Sequence, residues 1–279
     1  MKNLKLFIAL ALVLPIIPLQ ANAQKKVLLK YKVKQGEKYV SHQVANQDID
    51  MEAQGQTITM NQVITTDIST VISDVTPKEI KTTNMVGRLT MKQTMFGQEL
   101  NYDSSDSSTF ASGRGKLVGD AMNKLIKKPY GITMDHLGNI SSYDLSALLK
   151  DNNKISGNIK SGNNYVIFPD HKVKVGDSWE ADIKPMKTDD MKIHIKYTLK
   201  KLSGKKATIG LEGVITANEI AGQTINLSGT QSGEVVVDTR TGWTMSTHLT
   251  QDIKMKIEKN GMEIPMNISS TITSTTEKK

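Results

Sequence analysis

Met191-Lys-Ile-His-Ile-Lys-Tyr-Thr-Leu199 places an apolar side chain at every second position and lysine, histidine or threonine between. A period of two is that of a β-strand with one buried face, because successive side chains point to opposite sides of the pleat. The same alternation runs through Trp243, Met245, Leu249, Ile253, Met255 and Ile257. It returns in Ile264, Met266, Ile268 and Ile272, and earlier in Ile58, Met60, Ile64, Ile68 and Ile72. A strand of about 15 residues runs ~50 Å at ~3.3 Å per residue, against a usual length of ~5–6 residues. Strands that long twist and coil. The expected fold is therefore mainly β (α+β): a large curved antiparallel sheet or half-barrel of long strands, with one or two helices packed on its concave face.

The connections agree with a meander. Gly97-Gln98, Ser203-Gly204-Lys205, Ala221-Gly222-Gln223 and Asn260-Gly261 separate alternating runs and read as hairpin turns. Asp135-His-Leu-Gly138-Asn139 and Asp238-Thr-Arg-Thr-Gly242 share one design: an Asp opens the turn and a Gly takes the positive-φ position. The C-terminal region divides into five strands, roughly 189–201, 205–219, 223–238, 242–258 and 262–275. The middle has another period. Leu117, Val118, Ala121, Met122, Leu125 and Ile126 fall at helical spacing before Pro129, predicting a helix over about 115–127. A second short helix is expected over Ser142–Leu149, and 151–164 reads as a connector.

Lys32-Val-Lys-Gln-Gly36-Glu37-Lys-Tyr39 recurs as Lys172-Val-Lys-Val-Gly176-Asp177-Ser-Trp179. In both, a Gly permits a sharp bend and an aromatic anchors the strand that follows. The echo points to a single β-rich domain over 24–279, built of two related halves (about 24–112 and 165–279) joined by a helical middle (about 113–164).

The first 23 residues have the order of an export signal. Lys2 and Lys5 precede an apolar run from Leu6 to Leu19, and a polar stretch ends in Ala21-Asn22-Ala23. Small residues at those two alanine positions suit signal peptidase, so cleavage is expected between Ala23 and Gln24. The run is short of the ~20 residues a membrane-spanning helix needs. No cysteine follows the cut to carry a lipid, and the chain has none anywhere. The expected address is periplasmic or secreted, not membrane-spanning after cleavage.

Lack of cysteine removes thiol catalysis, thiolate zinc sites and iron–sulfur clusters. The formal charge of +8 is carried almost wholly by lysine, with Arg88, Arg114 and Arg240 as the arginines. Arginine is the residue of bidentate phosphate and base recognition, so nucleic acid is not an expected partner. His42, His136, His171, His194 and His248 form no metal-ligand spacing, and no nucleophile elbow, phosphate loop or dinucleotide fingerprint is present. Asp103-Ser-Ser-Asp106 lacks the glycine and distal glutamate of a calcium loop and reads as a turn. No catalytic residue, metal or cofactor is expected. The few aromatics also argue against the girdles of an outer-membrane barrel.

Fourteen methionines, several on the apolar faces, serve either as adaptable core filling or as the lining of a pliable apolar cavity. On the second reading, Leu117, Met122, Leu125, Met245 and Met255 are the expected lining.

Ile167-Phe-Pro169-Asp-His-Lys-Val173-Lys-Val-Gly176-Asp177-Ser-Trp179, together with Asp238-Thr-Arg-Thr-Gly242, resembles the central motif of an uncharacterised family of exported Bacteroidota proteins. The resemblance implies a location outside the cytoplasm and carries no activity. The architecture is more loosely similar to the LolA-like half-barrels of lipoprotein carriers, which implies acyl chains held between sheet and helix. The function expected is non-enzymatic binding of a lipid or another apolar small molecule. The alternative is an envelope interaction module with protein partners and no ligand; a hydrolase without a recognisable motif comes third.

Overall fold

The computed structural model describes residues 26–53, 55–149, 165–183, 190–220, 223–259 and 262–279. The export-signal reading, its cleavage point at Ala23 and Gln24, and the connector 151–164 lie outside the described residues.

Twelve strands form one antiparallel sheet. They are β1 (Lys38–Ala53), β2 (Gln56–Val75), β3 (Ile80–Met95), β4 (Gln98–Asp103), β5 (Pro129–Met134), β6 (Ile140–Asp144), β7 (Ser178–Ile183), β8 (Lys192–Ser203), β9 (Lys206–Ile220), β10 (Gln223–Asp238), β11 (Thr244–Lys259) and β12 (Met262–Lys278). The order is β6-β5-β3-β2-β1-β12-β11-β10-β9-β8-β7, with β4 paired to the far half of β3. The first long strand thus pairs with the last, from Tyr39 opposite Lys278 to Met51 opposite Met266.

An open sheet of this many strands curls to bury its face. Ile80 of β3 and Met134 of β5 share one core cluster with Trp179 of β7 and Tyr197 of β8, from opposite ends of the strand order. Eleven strands at ~4.8 Å spacing would span nearly 50 Å if flat, so the sheet bends into a half-barrel.

The core is filled by two irregular segments that cross the inner face. Leu29, Tyr31 and Val33 come from one, Val166, Phe168 and Val173 from the other, and all six are buried. The segments pair with each other through Val27 and Val173, N to O in both directions at 2.8 and 2.9 Å. The Tyr31 hydroxyl donates to the Val166 carbonyl at 3.2 Å and accepts from the Val166 N–H at 3.1 Å. Tyr165, Phe168 and Trp243 pack around its ring.

The repeated Lys-Val-Lys-x-Gly-acid motif folds the same way twice. Gly36 and Gly176 have φ of 85° and 95°. Gly36 N–H bonds the Ile72 carbonyl and Ile72 N–H bonds Glu37; Gly176 and Asp177 make the same pair of bonds with Leu199. The following aromatics are each stacked, Tyr39 on Trp243 and Trp179 on Tyr197.

Two helical expectations change. The first helix, α1, spans Gly113–Met122 and ends before the predicted 127. Residues 142–144 of the second belong to strand β6, paired with β5, and only Ser146–Leu149 is helical (α2). Leu145, Leu148 and Leu149 satisfy a helical spacing, but for Tyr143 hydrogen bonds to the neighbouring β5 win over a short isolated helix.

A banded cavity on the inner face

Register partners in an antiparallel sheet lie on the same face, so the inner wall can be read strand by strand. Thr247, Ser274, Gln43 and Thr66 follow one another across β11, β12, β1 and β2. Two residues along each strand, Leu249, Ile272, Ala45 and Ile64 form an apolar row. The next row is Gln231, Gln251, Ser270, Gln47, Gln62 and Gln93, from β10 to β3. Ile253, Ile268, Ile49 and Met60 follow, then Met255, Met266 and Met51. Apolar and polar bands alternate along the inner face as far as the glutamine row, and beyond it the face is apolar, with Ile257 opposite Ile264 after the methionines.

A cavity of about 580 Å³ lies against these bands. That volume is in the ~300–1,000 Å³ range of small-molecule sites. Its walls include Leu249, Ile253, Met255 and Ile272, with Ile183, Ile193 and Ile215 from β7, β8 and β9. Tyr143 of edge strand β6 and Ile183 of the other edge both reach it, as does Tyr165 beside the crossing segments. Polar lining comes from Gln43, Gln47, Thr66, Gln231, Thr247 and Gln251.

The glutamines are bonded to each other. Gln251 Nε2 donates to Gln231 Oε1 at 3.0 Å; Gln62 Nε2 donates to Gln47 Oε1 at 2.5 Å, and Gln47 Nε2 to the Ser270 hydroxyl at 3.2 Å. Gly213, opposite Gln231, makes room for this amide: a Cβ there would stand 3.0 Å from the Gln231 side chain. Thr247 is 4% exposed and its hydroxyl has no partner among the described residues. An orphaned buried hydroxyl costs about 1–3 kcal/mol.

Among the described residues, Asp182 is the one charged lining residue, and no lysine, arginine or histidine lines the cavity. Its carboxylate is 80% exposed and bonds His194 at 2.8 Å; that bond raises the histidine's pKa. The lysines of the alternating strands, such as Lys254 and Lys256, lie on the opposite face. Burial pushes the hydroxyls of Tyr165 and Tyr197, both in the wall, up to about 12.

A second, smaller space of about 70 Å³ adjoins it, lined by Tyr39, Thr70, Asn84, Trp243 and Thr276 among others. It shares Gln43 and Tyr165 with the larger cavity and has room for a few waters.

Of the five residues expected to line a cavity, Met255 is in the wall. Leu117 is instead 73% exposed on α1. Met122 packs against the cluster of Val86, Leu89, Met91 and Tyr102, and Leu125 against that of Tyr130, Ile132, Leu145 and Leu148. The α1 cluster shares Ile64 with the wall, but α1 packs over β3 and β4, which contribute no residue to the cavity lining among those described. Met245 falls in a bulge: Val236 pairs with Ser246 and Val237 with Thr244, so the alternation slips by one there. The glutamine row was missed, although its trace is visible. Gln47, Gln62, Gln93 and Gln251 each occupy a slot where the apolar alternation skips, as Gln251 does between Leu249 and Ile253.

Three acidic residues of the polar turns have structural occupations. Asp103 is held by Arg88 at 2.6 Å, which lowers its pKa, and Asp106 caps the 3₁₀ turn Ser107–Phe110. Asp190 accepts the N–H groups of Asn218 and Glu219. No group of three or more metal-ligating side chains occurs among the described residues.

Residues 151–244 match the model of a family of unknown function (DUF6263). No curated protein matches the chain. Among solved structures, lipovitellin, in a study of its lipid–protein interactions, is similar over 88% of this chain at 9% identity with a TM-score of 0.55. This chain spans 25% of the lipovitellin chain, and the likeness shows the fold. An outer-membrane channel from Pseudomonas putida F1 (6% identity, 88% of this chain and 97% of that one) has a TM-score of 0.25. The translocator domain of the Neisseria meningitidis autotransporter NalP (8%, 87% and 89%) has a TM-score of 0.26. No helix of the described residues is long and apolar enough to cross a membrane.

Proposed function

We propose that this protein is a non-enzymatic binder of a lipid or another hydrophobic ligand, acting outside the cytoplasm. The observation that carries the reading is the cavity of about 580 Å³ walled by Ile, Leu and Met side chains on the inner face of the sheet. A folded chain gains by closing apolar walls upon each other. Here Tyr31 and the crossing segments fill one end of the half-barrel, while Ile253 and Met255 beyond them face space. Unbranched thioethers adapt to chains of differing shape, which suits an apolar ligand of variable length. The fold-level likeness to lipovitellin is compatible with the reading, since that structure concerns lipid–protein interactions. The export signal read in residues 1–23 supports the location.

Titration with the neutral dye Nile red tests it. Saturable one-site fluorescence enhancement is expected, lost when Ala45→Trp fills the cavity from β1. A folded wild-type chain that takes up no dye, or an Ala45→Trp variant that binds as well as wild type, overturns the proposal.

A further inference from the structure

We infer that the cavity selects an uncharged amphiphile, one whose head group both donates and accepts hydrogen bonds and whose tail is a hydrocarbon chain. This rests on the cavity being a ligand site and adds the chemistry of the ligand.

The polar lining carries the inference. Gln251 and Gln231 spend one donor and one acceptor on each other. A primary amide offers two N–H donors and an acceptor oxygen with two lone pairs. The pair therefore keeps the Gln251 Oε1 acceptor and the Gln231 Nε2 donors for a ligand, with no protein partner among the described residues. Thr247, two rows away, adds a buried hydroxyl that the protein leaves unpartnered. These groups line the same cavity, separated by the apolar Leu249 row.

Charge excludes the commoner alternatives. No cationic side chain among the described residues lines the cavity to neutralise a carboxylate or phosphate, and its one described ionisable carboxylate, Asp182, is itself acidic. An unpaired charge is expelled from such a setting or neutralised by a proton. Neutral amides and hydroxyls suit hydroxyl, ester or amide head groups instead. Beyond the glutamines, Ile253 and Met255 provide the wall for the chain.

Competition against Nile red tests the inference with two probes of equal chain length, a monoacylglycerol and a fatty acid, at pH 8 and below the critical micelle concentration. The monoacylglycerol is expected to displace the dye at a concentration at least tenfold lower. Lowering the pH until the fatty acid is protonated should shrink that ratio, because the excluded charge is gone. Gln251→Leu and Thr247→Val, each read against its own Nile red affinity, should bring the ratio toward one; the second is close to isosteric and keeps the fold. Equal or better binding of the anionic fatty acid at pH 8, or a preference unchanged in both variants, overturns the inference and leaves the cavity reading standing. Displacement by neither probe while Nile red binds also overturns it. Failure of Nile red itself to bind overturns the cavity reading.

Discussion

The Tyr31 hydroxyl bonds both backbone groups of Val166, donating to its carbonyl and accepting from its N–H. One side chain thus joins the two segments that fill the half-barrel, 135 residues apart in sequence. Tyr31→Phe keeps the ring among Tyr165, Phe168 and Trp243 but strands two buried polar groups. The expected loss is about 2–4 kcal/mol, since each orphaned group costs about 1–3 kcal/mol. Urea denaturation with an unchanged m-value measures it.

The glycines that end the two Asp-initiated turns lie against the same segments. A Cβ on Gly138 would stand 2.4 Å from the Val166 carbonyl oxygen, and one on Gly242 2.4 Å from that of Lys30. Gly36 also has positive φ, yet nothing lies within 4 Å of its Cβ position. Alanine at Gly36 should cost only the backbone conformation, about 1–2 kcal/mol. At Gly138 or Gly242 the clash adds to this, and a loss greater than that of Gly36→Ala is expected in the same denaturation assay.

Alkaline pH should loosen the cavity. The hydroxyls of Tyr165 and Tyr197 titrate at about 12 in the folded chain, above the ~10 of an exposed tyrosine. A raised folded pKa means that the stabilisation is complete below pH ~10 and is lost as pH rises from 10 toward 12. Thermal melts across that window should fall more steeply for wild type than for Tyr165→Phe or Tyr197→Phe. Equal slopes would remove these tyrosines from the account.

Thr247 keeps a buried hydroxyl without a partner among the described residues. Thr247→Val replaces an unpartnered buried hydroxyl with a methyl of similar size, so the ligand-free protein should gain up to about 1–2 kcal/mol. Calorimetric melting of delipidated protein checks the sign.

Much of the fold was legible because long one-face-apolar strands leave a clear period. The five C-terminal strands fall within a few residues of their predicted limits, and both Asp-initiated turns place glycine at positive φ. The helical middle was less legible. Tyr143 fits either period over five residues, and pairing with Ile132 of β5 decides the choice. Leu117 has the spacing of a buried residue, yet α1 packs through Val118 and Met122; Leu117→Ser should change stability by no more than about 0.5 kcal/mol. The cavity wall was hidden for another reason. Gln47, Gln62 and Gln251 look like lapses in an apolar pattern until register sets them side by side, and register between strands 200 residues apart is a property of the assembled sheet.

Native mass spectrometry of the protein as its own cells make it, purified without detergent, tests the central claim most directly. The account predicts a mass increment that disappears on organic extraction, with a neutral amphiphile recovered in the extract at a stoichiometry near one. A chain at its bare mass that neither yields nor takes up such a molecule would contradict it.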